Sequence, residues 1–143
     1  MILFDTSVLV AAFIESHKNH TRSLKALQDV KSGKSKAFVS QHSLAELYSV
    51  LTNYPAHPRL SPEAVETLIS ENILRDFQIV EMGQRDYQDT IKRVRKKQLR
   101  GGVIYDALIL QAAVKKKVKT IYTWNPADFL RLAADGEVSI QEP

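Results

Sequence analysis

The sequence predicts one α/β domain across residues 1–143, a small parallel β-sheet flanked by helices in an α/β/α sandwich. Three observations predict it. Short apolar runs alternate with helical stretches of about 10 to 15 residues, an order that implies right-handed crossovers and parallel strands. A chain of 143 residues suits one domain with a single sizeable core. No internal repeat, low-complexity tract or linker divides it.

The elements follow in order. Ile2-Leu3-Phe4 is a short apolar run ending at Asp5, and Val8 to Ile14 reads as a buried helix. Thr21 to Val30 places Leu24, Leu27 and Val30 at helical spacing, and Ser32-Gly33 stops it. Ala37-Phe38-Val39 is the second strand, followed by a helix through Leu44, Leu47, Tyr48 and Leu51. Pro55 and Pro58 bracket a loop. Ser61-Pro62-Glu63 combines a serine cap, a proline at the first helical position and an acid at the positive dipole end, opening a helix to about Leu74. Phe77 to Val80 is the third strand, and Arg85 to Gln98 a helix interrupted by Gly101-Gly102. Val103 to Val118 is a long apolar helix, Thr120 to Thr123 the fourth strand, and Val138-Ser139-Ile140 an edge strand.

Composition narrows the function classes. The chain is 44% hydrophobic and 25% charged, as ordinary globular proteins are. It has no cysteine, which excludes disulfides, thiolate zinc sites and cysteine nucleophiles, and fits a reducing cytosol. The first residues lack the basic region of a signal peptide and reach a carboxylate early, and no apolar run approaches the roughly 20 residues that cross a bilayer. A cytoplasmic protein is the expectation. The net charge of +4 makes a polyanionic partner plausible, because lysine and arginine contacts release counterions from phosphates.

Open parallel sheets bind ligands beyond the carboxyl ends of their strands. Asp5 ends the first strand, Glu46 lies in the first turns after the second, Asp106 lies early in the helix after Gly101-Gly102, and Asn125 and Asp128 follow the fourth strand. Carboxylates crowded at one edge repel one another unless cations neutralise them, and an oxygen-only donor set favours Mg²⁺ or Mn²⁺. Phosphodiester hydrolysis assisted by such an ion is the natural chemistry. Each residue also has a structural explanation. Asp5 can cap the next helix, and Ser43-Leu44-Ala45-Glu46 matches a capping box. Asn125-Pro126-Ala127-Asp128 reads as another cap, and Asp106 as an acid facing a helix dipole. Against the caps, Asp5 and Asp106 sit among strongly apolar neighbours (Leu3, Phe4 and Val8; Val103, Ile104, Ala107 and Leu108), where a carboxylate is costly unless paired or metal-bound.

Four stretches, taken together, resemble the PIN-domain family and especially the VapC-like toxins of bacterial toxin–antitoxin pairs. They are Ile2-Leu3-Phe4-Asp5-Thr6-Ser7, Ser43-Leu44-Ala45-Glu46-Leu47-Tyr48, Gly102-Val103-Ile104-Tyr105-Asp106-Ala107-Leu108-Ile109-Leu110 and Ile121-Tyr122-Thr123-Trp124-Asn125-Pro126-Ala127-Asp128-Phe129. Each is short and mostly apolar; their order and spacing over nearly the whole chain carry the likeness. The resemblance implies a PIN-like domain and a Mg²⁺- or Mn²⁺-dependent endoribonuclease, the toxin of such a pair. Its implied partners are an RNA substrate, a cognate antitoxin protein and a second copy of itself. Asp5, Glu46 and Asp106 would be the metal-holding catalytic acids, with Thr6, Ser7 and Thr123 in support. Asn125 stands where many members carry aspartate, so it would act as a ligand through its carbonyl oxygen, and Asp128 would assist through water. The departure at Asn125 also keeps an alternative open, a catalytically weakened module that binds nucleic acid or protein. A small-molecule phosphatase fits less well, because Asp5-Thr6-Ser7 has no second acid nearby and no Gly-rich phosphate loop is present.

Other features have two readings each. Lys92-Arg93-Val94-Arg95-Lys96-Lys97 with Arg100, and Lys115-Lys116-Lys117 with Lys119, are either solvated helix faces or phosphate-contacting flanks of the site. His42 and Glu46 share a helical face, but no HExxH pattern supports a zinc pair. His17, His20 and His57 fall in loops without a pattern. Tyr48 and Trp124 are candidates for base stacking or for packing beside the site. Phe13, Leu24, Leu27, Leu47 and Leu51 serve either the core or a dimer or antitoxin interface.

Overall fold

A computed structural model describes residues 1–143. Its centre is a sheet of five parallel strands: β1 (Ile2–Phe4), β2 (Ala37–Ser40), β3 (Gln78–Val80), β4 (Thr120–Tyr122) and β5 (Ser139–Gln141). Their order is β3-β2-β1-β4-β5. The chain therefore winds outward from β1 through β2 to β3, then returns to the other side of β1 for β4 and β5. That reversal places the topological switch point between β1 and β4, where ligands of open α/β sheets bind.

Seven helices make the crossovers: α1 (Thr6–Phe13), α2 (His20–Lys31), α3 (Gln41–Asn53), α4 (Pro62–Leu68), α5 (Gln84–Lys96), α6 (Val103–Lys115) and α7 (Pro126–Leu132). Successive strand residues point to opposite faces, and the two cores divide accordingly. Phe4, Ala37 and Val39 pack with Val8, Leu9, Leu27, Leu47 and Val65 of α1 to α4. Leu3, Phe38, Val80 and Ile121 pack with Val94, Ile109, Leu110 and Phe129 of α5 to α7. The α/β/α sandwich read from the sequence is what the chain forms.

The expected elements recur with small shifts at their ends. The helix expected from Ser61 to Leu74 does start on a Ser61 cap, whose hydroxyl accepts from the Ala64 amide at 3.1 Å. It is α-helical only to Leu68 and continues as a π-helical turn over Ile69–Leu74. Asn72 explains the switch: its side-chain amide donates to the Leu68 carbonyl at 2.9 Å, taking the acceptor that an α-helix would give to the Asn72 backbone.

One polar clamp closes the far side of the sheet. Arg93 of α5 bonds both carboxylate oxygens of Glu137 (2.7 and 2.6 Å) and the Leu132 carbonyl at 3.2 Å. Glu137 also accepts from the Ala134 amide, so the α7–β5 connection hangs on this pair. The Arg93 guanidinium holds the Glu137 carboxyl below its ordinary range. Arg93→Ala is expected to lower stability by about 1–2 kcal/mol, because a bidentate pair is lost and a half-sheltered carboxylate is left behind. A urea melt checks this, and an unchanged midpoint would reduce the clamp to a surface contact.

Candidate active site

The site is built from the carboxyl end of β1 outward. Asp5 follows Phe4 directly, with its backbone amide bonded to the Tyr122 carbonyl at 2.9 Å, so the β1–β4 pairing fixes where its side chain emerges. Asp5 stands at the cap position of α1, where the Thr6 and Ser7 amides favour its charge, but its well-formed bonds run elsewhere. One oxygen, Oδ2, instead accepts from the Ser7 hydroxyl (2.5 Å) and the Thr123 hydroxyl (2.7 Å). Each hydroxyl is itself held by a backbone amide: Trp124 donates to Ser7 Oγ at 3.0 Å and Asn125 to Thr123 Oγ1 at 2.9 Å. The loop after β4 thus clamps Asp5 through two relays and leaves Oδ1 free of side-chain partners. Burial pushes the Asp5 carboxyl up, against the pull of the two hydroxyls.

Glu46 lies more than a turn into α3. The helix starts at Gln41 with Ser40 at the cap position, so Ser43 sits inside it and the capping-box explanation of Glu46 fails. The Glu46 carboxylate accepts from Thr6 Oγ1 at 3.1 Å, and His42 Nε2 stands 3.7 Å away. Burial raises its pKa, with repulsion from Asp5 adding and Thr6 and His42 opposing. The His42 ring stacks on Tyr105, 5.1 Å between centroids and 2° between planes, which accounts for it without zinc.

Asp106 lies in the first turn of α6, the long apolar helix that carries it to the same edge. Its pKa is pushed up to about 7, first by burial, then by Asp5, Asp128 and Glu46, with Arg131 opposing. Burial is the larger cause and repulsion by neighbouring acids the smaller, and no lysine or arginine forms an ion pair with Asp5, Glu46 or Asp106. Asp5, Glu46, Asp106 and Asn125 line one cleft of about 390 Å³ with Thr6 and Ser7.

The other expected residues separate. Asn125 caps α7 by position but not through its side chain, so its amide is available to the cleft. Asp128 does not line the cleft; it pairs with Arg131 at 2.5 Å, and its charge still reaches Asp106. Trp124 lines the cleft with its indole N–H on Ser23 (2.9 Å) and the Arg22 guanidinium over its ring at 4.9 Å, so one ring face is already covered. His17, Lys18 and Asn19, unmarked in the sequence, also line the cleft. No spacing signals them, because they arrive through the turn between α1 and α2.

No three carboxylate or imidazole side chains close around one point as a preformed metal cage would. The donor set nevertheless fits a hard divalent ion. Three acids face one cleft, none is paired with lysine or arginine, and Mg²⁺ commonly uses one or two carboxylates, waters and substrate phosphate oxygens.

An open parallel sheet with an acid cluster at its switch point is the class of protein that the fold and site define. Within that class the chain belongs to the PIN-domain family, whose model matches residues 2–135. It is 30% identical over 109 residues to ribonuclease VapC40 of Mycobacterium tuberculosis, covering 76% of this chain and 75% of that one. Its fold is similar to that of M. tuberculosis VapC20, a sarcin-ricin loop cleaving toxin, with a TM-score of 0.71, 15% identity, and coverage of 91% of this chain and 94% of that one. It is also similar to VapBC2 from Rickettsia felis, solved bound to a DNA fragment from their promoter, with a TM-score of 0.69, 20% identity, and 100% and 99% of the two chains covered.

Proposed function

We propose that the chain is a Mg²⁺- or Mn²⁺-dependent endoribonuclease, the toxin of a toxin–antitoxin pair. The observation that carries this is the cluster of Asp5, Glu46 and Asp106 at one cleft, none of them ion-paired with lysine or arginine, with Asp106 pushed up to about 7. Likeness to VapC40 and VapC20 supports RNA as the substrate. In this reading Asp5, Glu46, Asp106 and the Asn125 carbonyl oxygen would hold the ion, which would supply charge neutralisation at the phosphate and a more acidic water.

The chain's own residues set the geometry. Ser7 and Thr123 fix Asp5 by gripping one of its oxygens, so the other keeps a constant direction. Thr6 does the same for Glu46. Asp128, engaged by Arg131, adds negative field at Asp106 from outside the cleft. A weakened binding module is the poorer fit, since a site that had lost its ion would gain by pairing these acids with lysine or arginine.

An antitoxin partner belongs to the same proposal, supported by the likeness to VapBC2. A homodimer is part of the proposal by family resemblance and a cytoplasmic location by the sequence pattern; no helix is long and apolar enough to cross a membrane.

Ion binding should be visible without turnover. Mn²⁺ or Mg²⁺ at about 100 times Kd should raise the melting temperature by about 5–10 °C, and EDTA should reverse it and stop cleavage of single-stranded RNA. An unshifted melt together with cutting in EDTA would remove the ion from the mechanism.

A further inference from the structure

We propose that the turn joining α1 to α2 is the phosphate grip of the acid cleft: Lys18 ion-pairs with an RNA phosphate beside the scissile one, and His17 donates an N–H to the same backbone. The inference rests on the ribonuclease reading and names residues that the acids alone do not supply.

Charge makes the case first. An RNA strand entering the cleft meets Asp5, Glu46 and Asp106, and the only lysine or arginine on its wall is Lys18. Several of the chain's other cations are held by acids: Arg22 by Glu142, Lys25 and Lys34 by Asp29, Arg93 by Glu137, Lys115 by Asp86 and Arg131 by Asp128. Lys18 makes no ion pair and is exposed, so its ammonium is free to meet a phosphate. Attraction between a cleft-lining cation and the polyanion offsets part of the repulsion that the acids impose before an ion neutralises them.

Hydrogen bonding makes it again. The Asn19 backbone amide donates to His17 Nδ1 at 3.1 Å, which places the proton of the neutral ring on Nε2. Nε2–H makes no bond within the protein and is the free donor of a half-buried ring on the cleft wall. Asn19 contributes a side-chain amide beside it.

The turn is also held in place. The His17 amide bonds the Ile14 carbonyl at 3.0 Å, the His20 amide bonds the His17 carbonyl at 2.9 Å, and the His20 ring nitrogen Nδ1 sits 3.0 Å from the Ala11 carbonyl. Tied to α1 on one side and continuing into α2 on the other, it presents His17 and Lys18 with little ordering left for the substrate to bring about.

The test separates grip from catalysis. Binding of a fluorescently labelled single-stranded RNA is measured by anisotropy over a range of KCl in an Asp106→Asn background, which isolates binding from cutting. Adding Lys18→Ala should weaken binding about tenfold at low salt and reduce the slope of log K against log[salt] by about one, while Lys18→Arg should keep both. In the wild-type background, Lys18→Ala and His17→Ala should act mainly on KM for RNA cleavage, with a smaller change in kcat. Unchanged affinity and salt slope in the Lys18→Ala protein, with the wild type cutting RNA, would overturn the grip and leave the ribonuclease reading standing. A wild type that cuts no RNA with either ion would overturn that reading, and with it the placing of the grip beside a scissile phosphate.

Discussion

Asp106→Asn is expected to abolish RNA cleavage and to make the ion-free protein more stable at neutral pH. Both effects have one origin. Burial and three neighbouring acids raise the Asp106 pKa to about 7. In the unfolded chain the same carboxyl ionises near 3.9. Between those values the folded state holds a proton that the unfolded state has released, so stability falls as pH rises from about 4 to about 7 and levels off above. A fully sheltered group with that shift would contribute about 4 kcal/mol; Asp106 is half-buried, and solvent screening reduces this to about 2 kcal/mol.

Asparagine cannot ionise, so the gap between variant and wild type should open across that window, to roughly 5 °C in melting temperature at pH 7. Mg²⁺ should close it by stabilising the wild type alone. Cleavage should fall by about 10³-fold or more, since the variant loses a charge meant for the ion. A melting difference that does not vary with pH would show that Asp106 is not under the strain that its neighbours imply.

Asp5→Asn should give a comparable loss of cleavage with a smaller change in stability. The asparagine side-chain oxygen can still accept from Ser7 and Thr123, which keeps the loop after β4 in place. Removing a buried, repelled charge stabilises, and replacing a carboxylate acceptor by an amide weakens two bonds; each is about 1–2 kcal/mol and they oppose one another. Circular dichroism melts and RNA cleavage measured on the same preparation decide it. A variant that unfolds while its folded fraction cuts as well as wild type would make Asp5 a structural acid.

Much of this was legible in the sequence because strands and helices alternate with clear apolar runs, and because Asp5 ends a strand while Glu46 and Asp106 lie within the first two turns of helices. Other features were not. The π-helical turn depends on one asparagine competing for a carbonyl, which apolar spacing does not register. The Ser43–Glu46 box is a valid capping pattern, but α3 begins at Gln41, directly where β2 ends, and the box falls inside it. Asp128 lies within three residues of Asn125, but only the fold shows it paired with Arg131 and outside the cleft wall. His17 and Lys18 carry no local signal at all, because their role depends on where two helices turn over the end of β1.

The most direct measurement is cleavage of single-stranded RNA by the wild type and Asp106→Asn proteins, with Mg²⁺, with Mn²⁺ and with EDTA, folding confirmed in each case. The acid cluster predicts cutting by the wild type with either ion, none in EDTA, and none by the variant. Cutting by the variant at the wild-type rate, or wild-type cutting that persists in EDTA, would contradict an ion-dependent ribonuclease centred on Asp5, Glu46 and Asp106.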